Sequence, residues 1–126
     1  MSIDLTWHGH SCVSVDTTDH SLLIDPFLSD NPLDTPSPED VNPDVILVTH
    51  GHGDHIGDTI TIAKRTGALV ISNFEIHNWL QNQGLDNLHP QHIGGGFDYE
   101  WGRVKLTIAH HGSCLPDGSC GGEPCG

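Results

Sequence analysis

A chain of 126 residues with 17 acidic side chains against four basic ones, Lys64, Arg65, Arg103 and Lys105, has a formal charge of −13. That field repels phosphate backbones and anionic lipid headgroups, so nucleic acid and membrane surfaces are excluded as partners. The length suffices for one domain with a hydrophobic core, and 35% apolar residues with 15 glycines and eight prolines give much of it to loops.

Ile3, Leu5 and Trp7 alternate with polar neighbours and Cys12, Val13 and Val15 form a second short run, so the first 16 residues read as two strands. After a turn at residues 17–19, residues 21–25 form a third, more deeply buried strand ending on Asp25. Five prolines break residues 26–43 into a surface excursion. Residues 45–48 are a buried strand that runs directly into a histidine-rich loop at residues 50–55. Asp58 is placed to cap the next helix and Gly67 to stop it. A strand at residues 69–71 and a helix at residues 73–83 follow, an α/β alternation. Glycines at 94–96 mark a bend, residues 97–99 and 104–110 read as a hairpin, and the remainder as loop. Val104, Leu106 and Ile108 define a core face that expects covering elements.

No basic leader precedes an apolar run, and no stretch approaches the ~18 apolar residues of a membrane span, so a soluble, cytoplasmic protein is expected. The four cysteines, Cys12, Cys114, Cys120 and Cys125, lack the C-x-x-C spacing of a zinc knuckle and read as free thiols or adventitious metal ligands.

The chemistry concentrates in His50-Gly51-His52-Gly53-Asp54-His55, where three imidazoles and a carboxylate share six positions on a strand-to-helix loop. Zinc takes this donor set, and the glycines let the backbone turn tightly. At the chain's own His and Asp frequencies the chance of such a pattern is roughly 0.01, so coincidence explains it poorly. His110 and His111 form a second candidate; strand alternation puts them on opposite faces and does not choose between them. His8 and His10 could line a cleft or sit in a polar turn. Asp25 could hold a ligand imidazole in its tautomer or simply end a strand. His20, His77, His89 and His92 show no ligand spacing.

Thr49-His50-Gly51-His52-Gly53-Asp54-His55 resembles the ligand signature of the metallo-β-lactamase superfamily. Trp7-His8-Gly9-His10-Ser11, Leu23-Ile24-Asp25-Pro26-Phe27, Gly57-Asp58-Thr59 and His92-Ile93-Gly94-Gly95 resemble its L-ascorbate-6-phosphate lactonase-like, metal-dependent hydrolase branch. The resemblance covers residues 3 to about 113. It implies an α/β protein of the αββα sandwich type, of which this chain supplies about the first half as a single, truncated domain over residues 1–126.

The resemblance further implies two metals, Zn2+ first with Mn2+ or iron as alternatives. His50, His52 and a later histidine, for which His111 before Gly112-Ser113 is the better match, would hold one. Asp54 and His55 would hold the second, its shell incomplete, with Asp54 the catalytic candidate. The activity implied is hydrolysis of a phosphoester, lactone or related bond in a small-molecule substrate by a metal-bound hydroxide. The alternative is a catalytically incomplete metal-binding fragment or a histidine-rich binding module; a homo-oligomer could bury the missing contacts.

Overall fold

The computed structural model describes residues 2–126. Its strands are β1 (Asp4–Gly9), β2 (Cys12–Asp16), β3 (Ser21–Ile24), β4 (Val45–Leu47), β5 (Leu69–Asn73) and β6 (Leu88–Gln91), joined in one sheet in that order. The helices are α1 (Gly53–Ile56), α2 (Thr59–Thr66) and α3 (Phe74–Asn82), and a separate hairpin pairs β7 (Gly96–Tyr99) with β8 (Gly102–Lys105). β1 to β3 run antiparallel, joined by tight turns. β3 to β6 run parallel, so each link is a crossover: the proline-rich excursion, then α1 with α2, then α3.

The central strands are apolar on both sides because both faces are covered. Leu23, Ile46 and Val70 pack with Ile62, Ala63, Ile76 and Leu80 of α2 and α3. Leu22, Val45 and Ile71 point the other way, against Tyr99, Trp101 and Val104 of the hairpin. Helix α3 starts where the Asn73 side chain accepts the Ile76 N–H at 2.9 Å, and α2 stops at Gly67 in the left-handed region, φ 76°. No described helix is long and apolar enough to cross a membrane.

Several expectations are corrected. A first helical turn, α1, lies inside the histidine loop rather than behind it. Asp58 makes no cap bond to α2; its carboxylate instead accepts Leu28 N–H at 3.0 Å, Ser29 N–H at 2.9 Å and the Ser29 hydroxyl at 2.6 Å. A carboxylate meeting three donors from the proline-rich excursion has stronger partners there than one helix N–H offers. The alternation of Ile3, Leu5 and Trp7 does mark an edge strand, yet these side chains are 56%, 70% and 65% exposed, since neither hydrophobic cluster reaches them.

β8 ends at Lys105, so Val104, Leu106 and Ile108 do not form one face: Leu106 is buried and Ile108 is 66% exposed. The chain breaks the alternation where Leu106 pairs with Ile93 and Ile108 with Cys125. β6 was not anticipated, because His89 and Pro90 obscure a run that completes the sheet at its edge, where proline is tolerated. The tail, expected as loop, turns over residues 115–118, where Gly118 N–H donates to Leu115 O at 2.8 Å. It then returns to the segment just past β4, with Cys125 N–H on Thr49 O at 3.0 Å. Leu115-Pro116-Asp117-Gly118 is a turn signal that the glycine-rich composition masked.

Candidate metal centre

Parallel strands β3 and β4 both end at one edge of the sheet, β3 delivering Asp25 and β4 delivering Thr49 and His50. Sites on open α/β sheets form at such carboxyl ends. Asp25 is 1% exposed and takes an unusual positive φ of 45°. Its carboxylate accepts Thr49 N–H at 2.8 Å, the Thr49 hydroxyl at 2.7 Å and His55 Nδ1–H at 2.8 Å.

These bonds decide which ring nitrogens are free. A carboxylate only accepts, so the Thr49 hydroxyl proton is committed to Asp25, and Thr49 Oγ1, 2.9 Å from His50 Nδ1, accepts the proton there. His50 Nε2 is left with a bare lone pair, buried and without a hydrogen-bond partner among the described residues. His55 likewise spends Nδ1 on Asp25 and keeps Nε2 free.

Two groups of donor atoms result. Those of His50, His52 and His111 lie within 4.8 Å of one another, as do those of His10, Asp54 and His55. The groups adjoin, the His50 and His55 rings being 4.0 Å apart between centroids. His10 reaches Asp54 Oδ2 at 3.1 Å from a left-handed backbone, φ 51°. Gly9, φ 105°, precedes it, and a Cβ there would press on Leu33 and Asn31. The second group therefore has three members, where Asp54 and His55 alone were expected.

Burial, reinforced by the neighbouring His55, His52 and His111 rings and opposed by Asp25, lowers His50 from 6.5 to about 4. The hydrogen bond that His55 donates to Asp25, with the charges of Asp25 and Asp54, raises His55 against the effect of its burial. Asp54 is pushed up by burial but ends below the ordinary carboxylate value, because its own backbone N–H, His55 and His10 outweigh that push. A neutral imidazole with a buried, unpartnered lone pair beside two more imidazoles fits a divalent cation by its donor chemistry.

Of the other candidates, His111 joins the first group, while His110 is exposed and belongs to neither. Beyond β8 no regular strand continues, so alternation does not govern these two positions. His8 turns into the β1–β2 pair, Nε2 2.7 Å from Ser14 Oγ, away from both groups. The cysteines join neither group. Sequence reading missed Thr49 as the link between Asp25 and His50, and Ser113, whose hydroxyl accepts Gly51 N–H at 3.0 Å. The only signal for either was a hydroxyl residue within each histidine motif.

The family model of the β-lactamase superfamily domain matches residues 4–119. The chain belongs to this superfamily. Among superfamily relatives, a UPF0173 metal-dependent hydrolase of Bacillus licheniformis is 55% identical over 113 residues, 90% of this chain and 49% of the relative. That of Bacillus subtilis is 53% identical over the same length. The solved structure of Igni18, a metallo hydrolase from Ignicoccus hospitalis, superimposes with a TM-score of 0.83 at 32% identity, covering 98% of this chain and 54% of that one. The chain thus spans about half the length of the curated relatives it matches.

Proposed function

We propose that this chain is the metal-binding half of a metal-dependent hydrolase for a small-molecule substrate, folded as a single domain. His50, His52 and His111 would hold one divalent ion, and His10, Asp54 and His55 a second. The observation that carries the reading is the buried, unpartnered His50 Nε2. A lone pair withdrawn from water is costly unless something accepts it, and no donor among the described residues is supplied. Relatives at 55% and 53% identity that are named metal-dependent hydrolases support the same reading.

A set of three imidazoles favours Zn2+, with Mn2+ or iron as the alternatives elemental analysis separates. When bound, such ions supply a Lewis acid and a nucleophilic water at neutral pH, chemistry suited to a phosphoester or lactone bond. The chain's own residues do the rest. Asp25 fixes His55 directly and His50 through Thr49, so the donor atoms stay aimed without reorganisation. Asp54 keeps a negative charge at neutral pH and faces His10. Trp7, Phe27, Pro32 and Leu33 wall a space of about 440 Å³ beside His10 and Asp54, a place for an apolar portion of the substrate.

The test combines metal content with turnover. Purified protein is analysed for bound Zn2+, Mn2+ and iron and assayed with a generic phosphodiester, alongside His52→Ala. About two ions per chain are expected, with loss of one ion and of hydrolysis in the variant. Failure to take up any of the three metals overturns the reading, while metal without turnover restricts hydrolysis to the longer relatives.

A further inference from the structure

Cys114 and Cys120 stand directly opposite each other in an antiparallel bridge, and both are exposed free thiols. Leu115 N–H donates to Ser119 O at 2.9 Å and Gly121 N–H to Ser113 O at 2.7 Å. These two bonds flank the cysteines, which puts them at a non-hydrogen-bonded position, where Cα atoms are ~4.5 Å apart and side chains share a face. That separation lies within the ~4.4–6.8 Å at which disulfides form. The turn is also anchored from outside, Trp79 Nε1–H donating to Asp117 Oδ2 at 2.7 Å. Neither thiol belongs to a metal-ligand group. Cys12 and Cys125 are buried, and Cys125 donates its thiol hydrogen to Thr49 O at 3.1 Å.

We propose that Cys114 and Cys120 form a redox-dependent disulfide that locks the turn bracing the histidine loop. The oxidant is a low-molecular-weight disulfide. One cysteine thiolate attacks it, forming a mixed disulfide and expelling the first small thiolate. The second cysteine thiolate then attacks the protein sulfur of that mixed disulfide and expels the other. Two protein thiols are oxidised, one external disulfide is reduced to two thiols, and the two protons leave to solvent or to those thiolates. Closure replaces the contact of Gly122 N–H with Cys120 Sγ, at 3.4 Å.

Residues adjacent to the pair carry its effect inward. Ser113, just before Cys114, accepts Gly51 N–H at 3.0 Å and donates to Gly121 O at 3.1 Å, just after Cys120. Gly51 lies buried between His50 and His52, and a Cβ there would meet Leu115 and the Ser113 carbonyl at 3.2 Å. A covalent link at this position holds both strands of the brace against Gly51. Its effect on metal release rests on the metal-binding reading above; the disulfide itself does not.

The test equilibrates the purified chain in a series of glutathione disulfide and glutathione mixtures. Intact mass, thiol counts in denaturant and peptide mapping follow. Expected are the loss of two thiols without added glutathione and a cross-linked peptide joining Cys114 to Cys120, whereas Cys114→Ser stops at a glutathione adduct on Cys120. The oxidised chain should also unfold in urea with an equilibrium constant roughly 50-fold smaller than the reduced one, as a short closed loop requires. Adducts on both cysteines without closure, unaltered thiols, or a bond to Cys125 overturn the proposal.

A second arm follows Zn2+ release to a chromophoric chelator. Slower release from the oxidised chain supports the brace, and equal rates overturn it while the bond stands on the mass data. No uptake of Zn2+, Mn2+ or iron in either state overturns the metal reading and the brace together, leaving the disulfide to be judged by mapping.

Discussion

The carboxylate of Asp25 accepts His55 Nδ1–H at 2.8 Å on the same oxygen that accepts the Thr49 hydroxyl at 2.7 Å. One buried acid therefore aims an imidazole in each donor group, His55 directly and His50 through Thr49. Asp25→Asn keeps the shape but offers one acceptor oxygen where the carboxylate has two, and sets an NH2 against groups that are themselves donors. Metal affinity should fall about 10-fold to 100-fold and stability by about 2–5 kcal/mol. Chelator competition and urea unfolding measure the two effects, and a variant that binds Zn2+ as tightly as the parent removes the orienting role.

The stretch from β3 through the histidine loop was legible because short apolar runs and a dense ligand pattern are local signals. The His50 and His52 pairing and the turn to α2 are written within a few residues of each other. His10 and His111 joined their groups by long-range geometry, and alternation could not choose between His110 and His111 because β8 ends at Lys105. Asp58 shows the same limit: its position reads as a cap, but its partners, Leu28 and Ser29, are 30 and 29 residues away. The return of the tail to Thr49 was equally invisible, since Cys125 bonds across 76 positions.

In metal-free protein His50 sets an acid limit on stability. Its folded value of about 4 lies below its ordinary 6.5, so the folded chain prefers the neutral ring. Its contribution is complete above 6.5 and is lost as pH falls toward 4, because the unfolded chain takes the proton first. His55 acts with the opposite sign: its raised value makes its contribution complete below 6.5 and lost as pH rises through the folded value. Comparison with His50→Gln isolates the first effect. From about pH 7.5 to about pH 5 the parent should lose on the order of 2 kcal/mol more than the variant in urea unfolding. Parallel pH profiles exclude the effect.

Gly57 carries φ 43° and ψ −125° between α1 and α2, where a Cβ would collide with the Pro26 carbonyl. Asp58 N–H donates to that same carbonyl at 2.9 Å. Gly57→Ala should therefore destabilise by more than the ~1 kcal/mol typical of point substitutions, since backbone must move. Asp58→Ala removes three acceptor contacts to Leu28 and Ser29 and should cost about 1–3 kcal/mol. A double-mutant cycle of Asp58→Ala with Ser29→Ala is expected to show a coupling of about 0.5–3 kcal/mol, and strict additivity would deny the hydroxyl–carboxylate bond any weight.

Thiol reactivity separates the cysteines into two classes. Burial, with the charge of Asp25 adding to it, pushes Cys12 and Cys125 up to about 11. At about pH 8 only about one in a thousand of each is then the thiolate that an alkylating agent attacks. Cys114 and Cys120 are exposed on the turn and meet reagent freely. Iodoacetamide applied to the reduced, folded chain should label Cys114 and Cys120 within minutes and the buried pair only after denaturant is added. Digestion and mass mapping give the order of labelling. Early labelling of Cys125 would mean that the tail does not stay on Thr49, and the brace behind the histidine loop would have to be abandoned with it.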